Sequence, residues 1–367
     1  MKNNSAVGIL SVGMHVPQQV RRNDWWPASF TEQFAERAKL DVTTPEVFLE
    51  RAKTPAQRIQ LKQMLETYHD PFRGSIERRV LEEGLRPSSM EIAAARQAVS
   101  RAGIDASELD VILSFSMPTD ECMPPNAGII QAALGAKRAL AMGVDAACAS
   151  SLTAMFLGES LIRSGAAKYV LVVTSTTLSR LSDPDDTGSV NFGDGAGAFV
   201  LGPVPAGLGF QGTAQRSIGE LHNGVCIGPK HDEPWYSKGG PMFLYSRNLK
   251  VGREIAMGSA DFAKEAVEAV LRKAGLDAKD VTHFYSHQPV AWFSDACRIA
   301  SGLEHCQTTS TFPLLGGMGS ANVAINLCRA WEKGQVRPGD QAMLYSCGGG
   351  FLWAATIVRW SAAPLNA

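Results

Sequence analysis

A chain of 367 residues, 45% of them hydrophobic and with a formal net charge of -1, can fill two domains or one large core. It is too evenly charged to offer a broad surface to nucleic acid or to an acidic membrane. Seven cysteines without a CxxC pairing, no signal-peptide core and no run of membrane-helix length predict reduced thiols in the cytoplasm and a ligand that is small or carried by a small partner.

Residues 6–14, Ala-Val-Gly-Ile-Leu-Ser-Val-Gly-Met, read as a buried strand ending in a turn at Pro17. From about 24 to 73 the chain is polar and helix-prone, with Trp25, Trp26, Phe48, Leu61 and Tyr68 among its apolar residues. This stretch reads as an insertion over the core, either a lid or wall for an apolar chain or a set of docked surface helices. Glu91 to Ala102 has apolar residues at helical spacing, stops at Gly103 and leads into a strand at Val111–Ser116. Lys273-Ala-Gly-Leu-Asp-Ala-Lys-Asp-Val281 repeats Arg101-Ala-Gly-Ile-Asp-Ala-Ser-Glu-Leu109 position by position, and a strand-like run follows each. A second pair agrees: the helix after Cys148 runs into a strand by Val173, and the helix after Ser320 runs into a strand by Leu344. The chain is therefore expected to hold two similar halves, 1–208 and 209–367, packed about a pseudo-twofold axis. Helices alternating with short apolar strands predict a parallel-dominated sheet in each half, with the chemistry at strand ends where the halves meet.

Val144-Asp-Ala-Ala-Cys-Ala-Ser-Ser-Leu152 places Cys148 among small residues where a strand becomes a helix. The free N–H groups and dipole of a helix start favour a thiolate, which predicts a lowered pKa; the bland alternative is an inert core thiol. His287, in Tyr285-Ser-His-Gln-Pro289, ends a strand of the second half and can shuttle protons beside that cysteine, or be a satisfied core histidine. His283 gives HxxxH spacing, but on a strand-like segment without a helical His-Glu pair, so no metal is expected. Ser346-Cys-Gly-Gly-Gly-Phe351 lets backbone approach a carbonyl, making the N–H groups of Cys148 and Gly349 a candidate oxyanion hole; the alternative is a plain turn. Asn191-Phe-Gly-Asp-Gly-Ala-Gly197 fits close packing better than a dinucleotide loop, and Asp183-Pro-Asp-Asp186 fits a solvated loop.

Gly74-Ser-Ile-Glu-Arg-Arg-Val80, the Cys148 segment, Phe192-Gly-Asp-Gly-Ala196, His287-Gln288, Gly317-Met-Gly-Ser-Ala321 and Gly348-Gly-Gly-Phe351 occur in an order that resembles β-ketoacyl synthase III, a branch of the thiolase superfamily. The resemblance implies a five-layered αβαβα fold and a homodimer. It also implies Cys148 acylated from acyl-CoA or an acyl carrier protein, so that CoA or phosphopantetheine arrives as substrate carrier with no resident cofactor. One departure stands out. The family pattern Gly-Asn-Thr-Ser-Ala supplies an asparagine that, with the histidine, binds the malonyl thioester oxygen during decarboxylation; here that position is Met318, which cannot donate a hydrogen bond. Met318, Ser320 and Asn322 are the residues this pattern would bring to substrate, with Asn322, one helical turn on, as a possible replacement donor. Gln-Pro-Val after His287, where the family has Gln-Ala-Asn, is a second sign of a specialised branch.

The expected activity is a condensation: Cys148 takes an acyl group, His287 handles protons and the oxyanion, and a carbon nucleophile such as a malonyl or β-ketoacyl thioester accepts it. The missing asparagine favours the pre-activated β-keto acceptor, as in condensing enzymes that make dialkylresorcinols. The rivals are acyl transfer to an alcohol or amine, and a non-catalytic partner subunit.

Overall fold

The computed structural model describes residues 6–40, 44–230 and 233–365. Nine strands build two sheets: β1 (Ala6–His15), β2 (Val111–Met117), β3 (Leu140–Gly143), β4 (Val170–Thr177), β5 (Asp194–Val204), β6 (Gly209–Ser217), β7 (His283–Ser286), β8 (Gln341–Gly348) and β9 (Leu352–Arg359). The first sheet runs β1-β5-β4-β2-β3 and the second β6-β9-β8-β7, so the first four strands of one correspond in order to those of the other. In β2 and β4 every residue is buried, as expected of near-continuous apolar runs covered on both faces.

The sheets are mixed rather than parallel-dominated. β2 lies parallel to β3 and β4, and β7 to β8, but β5 is antiparallel to both β1 and β4, and β9 to both β8 and β6. Parallel neighbours need a crossover helix. Here β4 reaches β5 through a loop with only short 3-10 turns, and β8 reaches β9 through the glycine turn after Gly348, so both pairs return antiparallel.

Helices α1 (Pro87–Ala102), α2 (Ser150–Arg163), α3 (Ser259–Ala274) and α4 (Asn322–Glu332) complete five layers. α1 packs on the outer face of the first sheet and α3 on that of the second. α2 and α4 share the central core with strands of both sheets, Leu152 and Met155 beside Val323 and Leu327. α4 is buried along most of its length, including the polar Asn322 and Asn326, and Asn326 donates its amide to Ser286 O (3.1 Å). Its approach to the sheet is close: a Cβ on Gly197 would collide with that of Ala324.

The two central helices begin in the same way. A 3-10 turn, Ala147–Ala149 or Gly319–Ala321, precedes each, the first residue of each turn has positive φ (49° at Ala147, 48° at Gly319), and the two turns touch. The repeat thus brings both helix starts to one place between the halves.

The insertion does not become a lid. None of the described residues between 25 and 70 lines the cavity around Cys148. The helix Pro55–Leu65 docks instead on the outside of that wall, where the helix Leu249–Met257 breaks at Gly258 before α3. A helix break orphans backbone groups. Gln60 satisfies two of them, its Nε2 donating to Ala256 O (2.7 Å) and its Oε1 accepting from Ala260 N (3.1 Å), while Thr54 and Gln57 both donate to Asp261. Trp26 donates to Ser189 Oγ (3.1 Å) and packs on Phe72, bracing the loop beside the cavity. Trp26, Phe48 and Leu61 of the insertion are buried by this docking, whereas Trp25 and Val47 stay exposed.

Candidate active site

Cys148 lies in the sharp turn before α2. Its neighbour Ala147 is left-handed, which costs a residue with a Cβ about 1–2 kcal/mol. Hydrogen bonds hold the strained turn: Ala147 N–H donates to Asp145 (2.9 Å), Ala146 N–H donates to Ser150 Oγ (2.8 Å), and Ser150 Oγ donates to Ala147 O (2.7 Å). From the second half, Ser346 Oγ on β8 donates to the Cys148 carbonyl (2.7 Å). Two residues on, Gly348 presses against the same turn; a Cβ there would collide with Ala146 O and lie 3.0 Å from the N of Cys148. Any side chain at 348 must push the nucleophile's turn away. Gly348→Ala should therefore cut acyl loading ~10²-fold or more, the scale of losing an oxyanion donor, with little change in far-UV circular dichroism.

Cys148, His287, Gly348 and Gly349 line one cavity of about 580 Å³ between the halves. Its walls are mostly apolar, with Leu244, Leu249, Ile255, Val290 and Phe293, and Arg253 brings a cation. His287 follows β7, its N–H bonded to Tyr345 O (3.0 Å) and its ring 5.9 Å from Phe293.

The thiolate expected at the helix start is overridden. The cavity reaches Cys148, yet protein encloses the thiol, and burial pushes its pKa up to about 12, with Asp145 adding to the rise and a backbone hydrogen bond opposing it. Burial also drives His287 down to about 4, against hydrogen bonding to Asn322 and the Gly319 backbone. Near neutral pH the cavity is lined by an uncharged thiol and an uncharged imidazole, and an imidazole in that state can take a thiol proton as sulfur attacks.

Of the three residues expected to meet substrate, none lines the cavity. Met318 is fully buried among Leu315, Ala321 and Ile325, and its Sδ fills the space over Gly195. An asparagine there would enter an apolar cluster, not the pocket, so Met318→Asn would bring no donor to the substrate space. Ser320 is turned inward; its carbonyl accepts from Thr174 Oγ1 (3.2 Å), and its hydroxyl has no partner among the described residues. Asn322 reaches the histidine rather than the substrate space: its Oδ1 lies 3.2 Å from His287 Nδ1. His283 is remote from this chemistry, its Nε2 facing Gln335 O (3.0 Å) and its Nδ1 Thr282 Oγ1 (2.9 Å).

Sequence reasoning passed over Cys347, a second thiol lining the cavity, also raised by burial to about 12. Ser346 and Gly348 were read only as part of the glycine motif, and their hold on the Cys148 turn was not foreseen. Their signal was present, because the three residues end a buried strand directly before the glycine turn.

A family model described as 3-oxoacyl-[acyl-carrier-protein (ACP)] synthase III matches residues 142–219, and the model of its C-terminal part matches residues 271–360. The β-ketoacyl-[acyl-carrier-protein] synthase III of Bacillus pumilus is 33% identical over 82% of this chain and 93% of its own length. The enzyme of the same description from Clostridium perfringens is 30% identical over 84% and 95%. The solved structure of the synthase III from Thermus thermophilus superposes with a TM-score of 0.76 at 27% identity, covering 97% of this chain and all of that one.

Proposed function

The chain belongs to the β-ketoacyl-[acyl-carrier-protein] synthase III family of condensing, acyl-transferring enzymes, and from that premise we propose that Cys148 is the residue it acylates, with His287 as its proton partner. The observation that carries the assignment is the meeting, in one apolar cavity, of the strained Cys148 turn, the close glycine backbone of 348–349 and the uncharged imidazole. The N–H groups of Cys148 and Gly349 serve as the oxyanion hole. The donor is an acyl thioester of CoA or of an acyl carrier protein. The exposed cations Lys250 and Arg253 on the helix Leu249–Met257 suit the phosphates of either carrier. The test is intact-protein mass after exposure to a panel of acyl-CoAs. A gain of one acyl group on the peptide that holds Cys148 supports the assignment, and a gain elsewhere refutes it.

The acceptor is specialised. Met318 faces the protein interior, so no amide at that position meets a malonyl thioester; this supports a place in secondary metabolism rather than ordinary chain initiation. All seven cysteines are unbridged, in keeping with a reducing compartment such as the cytoplasm, and no helix among the described residues is long and apolar enough to cross a membrane.

The enzyme works as a homodimer joined along β3. That strand is the open edge of the first sheet, and Leu140 is 60% exposed on it, with Ile129 exposed on the helix Ala127–Leu134 that packs beside it. An apolar open edge is a pairing template that a monomer would have to blunt. Leu140→Lys should convert a dimer into a monomer by sedimentation; an unmodified protein that sediments as a monomer would reject the interface.

A further inference from the structure

Behind the first sheet, on the face turned away from the cavity, lies a buried acid that the acyl-loading scheme leaves unused. Glu91, on α1, is fully buried. Ser116 Oγ on β2 and Ser175 Oγ on β4 both hydrogen-bond its Oε1, and Asn126 Nδ2, at the start of the helix Ala127–Leu134, donates to its Oε2 (3.0 Å). The charge that acts on it is that of Asp120, which shares the same Asn126 amide (3.1 Å) and accepts from the N–H (3.0 Å) and Oγ (2.6 Å) of Ser88 at the start of α1. The nearby Arg86 is taken by Glu121 on the same loop (2.8 Å). Two carboxyls on one amide disfavour a second negative charge, and the dipole at the start of α1 favours placing the first on Asp120. Glu91 is left as the acid: burial, with Asp120 adding to it, raises its pKa above the ordinary 4.5, against the hydrogen bonds from Ser116, Ser175 and Asn126. Its partners suit a neutral carboxyl, since a protonated Oε1 can donate to one serine and accept from the other while Oε2 accepts from Asn126.

Side chains alternate across a strand. Ser116 and Ser175 face α1, so the residues that follow them, Met117 and Thr176, face the centre of the molecule. There both meet the turn before α4: a Cβ on Gly319 would lie 2.6 Å from Thr176 Cγ2 and 3.2 Å from Met117 Cε. The Gly319 backbone hydrogen-bonds the His287 ring, and Met117 belongs to the cluster against which Cys148 packs. One acid thus ties together two strand ends whose other face seats both reacting groups. We propose that Glu91, as a neutral acid, is a positioning residue for acyl loading, and that loss of its proton at higher pH loosens the ends of β2 and β4 and with them the seat of Cys148 and His287. The physical reason is the cost of a buried carboxylate that has Asp120 beside it, which is relieved when the strand ends and the Asp120 loop open to water. Neither reacting group supplies such a dependence. His287 titrates near 4 and Cys148 near 12, so a fall in loading between those values belongs to a third group.

The proposal rests on Cys148 being the acylated residue, and the experiment separates the two. Loading from octanoyl-CoA is followed by intact-protein and peptide mass from mildly acidic to mildly alkaline pH in the unmodified protein, Glu91→Gln and Glu91→Ala. Glutamine keeps a donor and an acceptor, as the neutral acid does, and has no proton to lose. The unmodified protein should show a high-pH limb. Glu91→Gln should load at close to the unmodified rate below that limb and stay level through it. Glu91→Ala should lose up to ~10²-fold at every pH, the scale of a misplacement caused far from the chemistry. Infrared difference spectra read the acid without turnover: the carbonyl band of a protonated carboxyl should be present in the unmodified protein below the limb, fade across it, and be missing from Glu91→Gln. The glutamine variant and the spectra decide the matter even where the alanine variant does not fold. A flat rate in the unmodified protein, the same limb in Glu91→Gln, or the absence of a protonated-carboxyl band that Glu91→Gln removes would overturn the proposal while leaving Cys148 as the acylated residue. Octanoate on a peptide other than that of Cys148 would overturn both.

Discussion

Cys148→Ala should abolish acyl loading, with no mass gain from any acyl-CoA, whereas Cys347→Ala should load at a rate near that of the unmodified protein. The pair is informative because composition and burial do not distinguish the two thiols. Both line the cavity, and burial raises both to about 12. What separates them is backbone. Cys148 sits at the start of α2, where free N–H groups and the helix dipole favour the negative charge that builds on the substrate oxygen as sulfur attacks. Cys347 is the penultimate residue of β8, still within the ladder and paired opposite Trp353, where the neighbouring N–H groups serve the sheet. Cys148 also raises the Cys347 pKa, so the second thiol is further disfavoured once the first is charged. Loss of loading in Cys347→Ala with loading intact in Cys148→Ala would exchange the roles.

The fold was largely legible because its signals are local and repeated. The match of Arg101–Leu109 to Lys273–Val281 marks the same helix end and strand start twice, and the two sheets follow with the same strand order. Cys148, His287 and the glycine run were legible for a similar reason, since each stands at the end of an element, where backbone groups are free. The strand directions were not. An apolar run such as β5 carries no mark of its direction, which is set by whether a helix fits into the preceding connection. Residue pKa values were not legible either. A helix start argues for a thiolate, but the enclosure that reverses the sign at Cys148 is a property of both halves together. Met318 misled because a motif position fixes a backbone address and not a side-chain direction; the turn at Met318, φ -115° and ψ 35°, sends its thioether into the cluster with Ile325. The docking of the insertion was hidden in Gln60, a polar residue on a polar helix whose partners lie about two hundred residues away.

His287→Gln should separate chemistry from stability, because the histidine proposed as the proton partner is one that acid turns against the fold. Removing the proton acceptor should slow both loading and condensation by ~10²–10⁴-fold, the usual contribution of a positioned acid or base. In the unmodified enzyme the ring works only while uncharged, so loading should hold its rate as pH falls through neutrality and fail with a midpoint near 4. The stability consequence has a definite sign. The folded ring has a pKa of about 4 and the unfolded one the ordinary 6.5, so between those values the unfolded chain binds more protons than the folded one. Stability therefore rises with pH across that window, is fully present above 6.5, and is lost progressively as pH falls toward 4. A gap of this size corresponds to about 3 kcal/mol. Denaturant unfolding from pH 7 down to pH 4 should show this loss in the unmodified protein and a shallower one in His287→Gln, whose amide does not titrate. Equal slopes in the two proteins would mean that His287 is hydrated and not buried in the free enzyme, and would remove the physical basis for an uncharged proton acceptor beside Cys148.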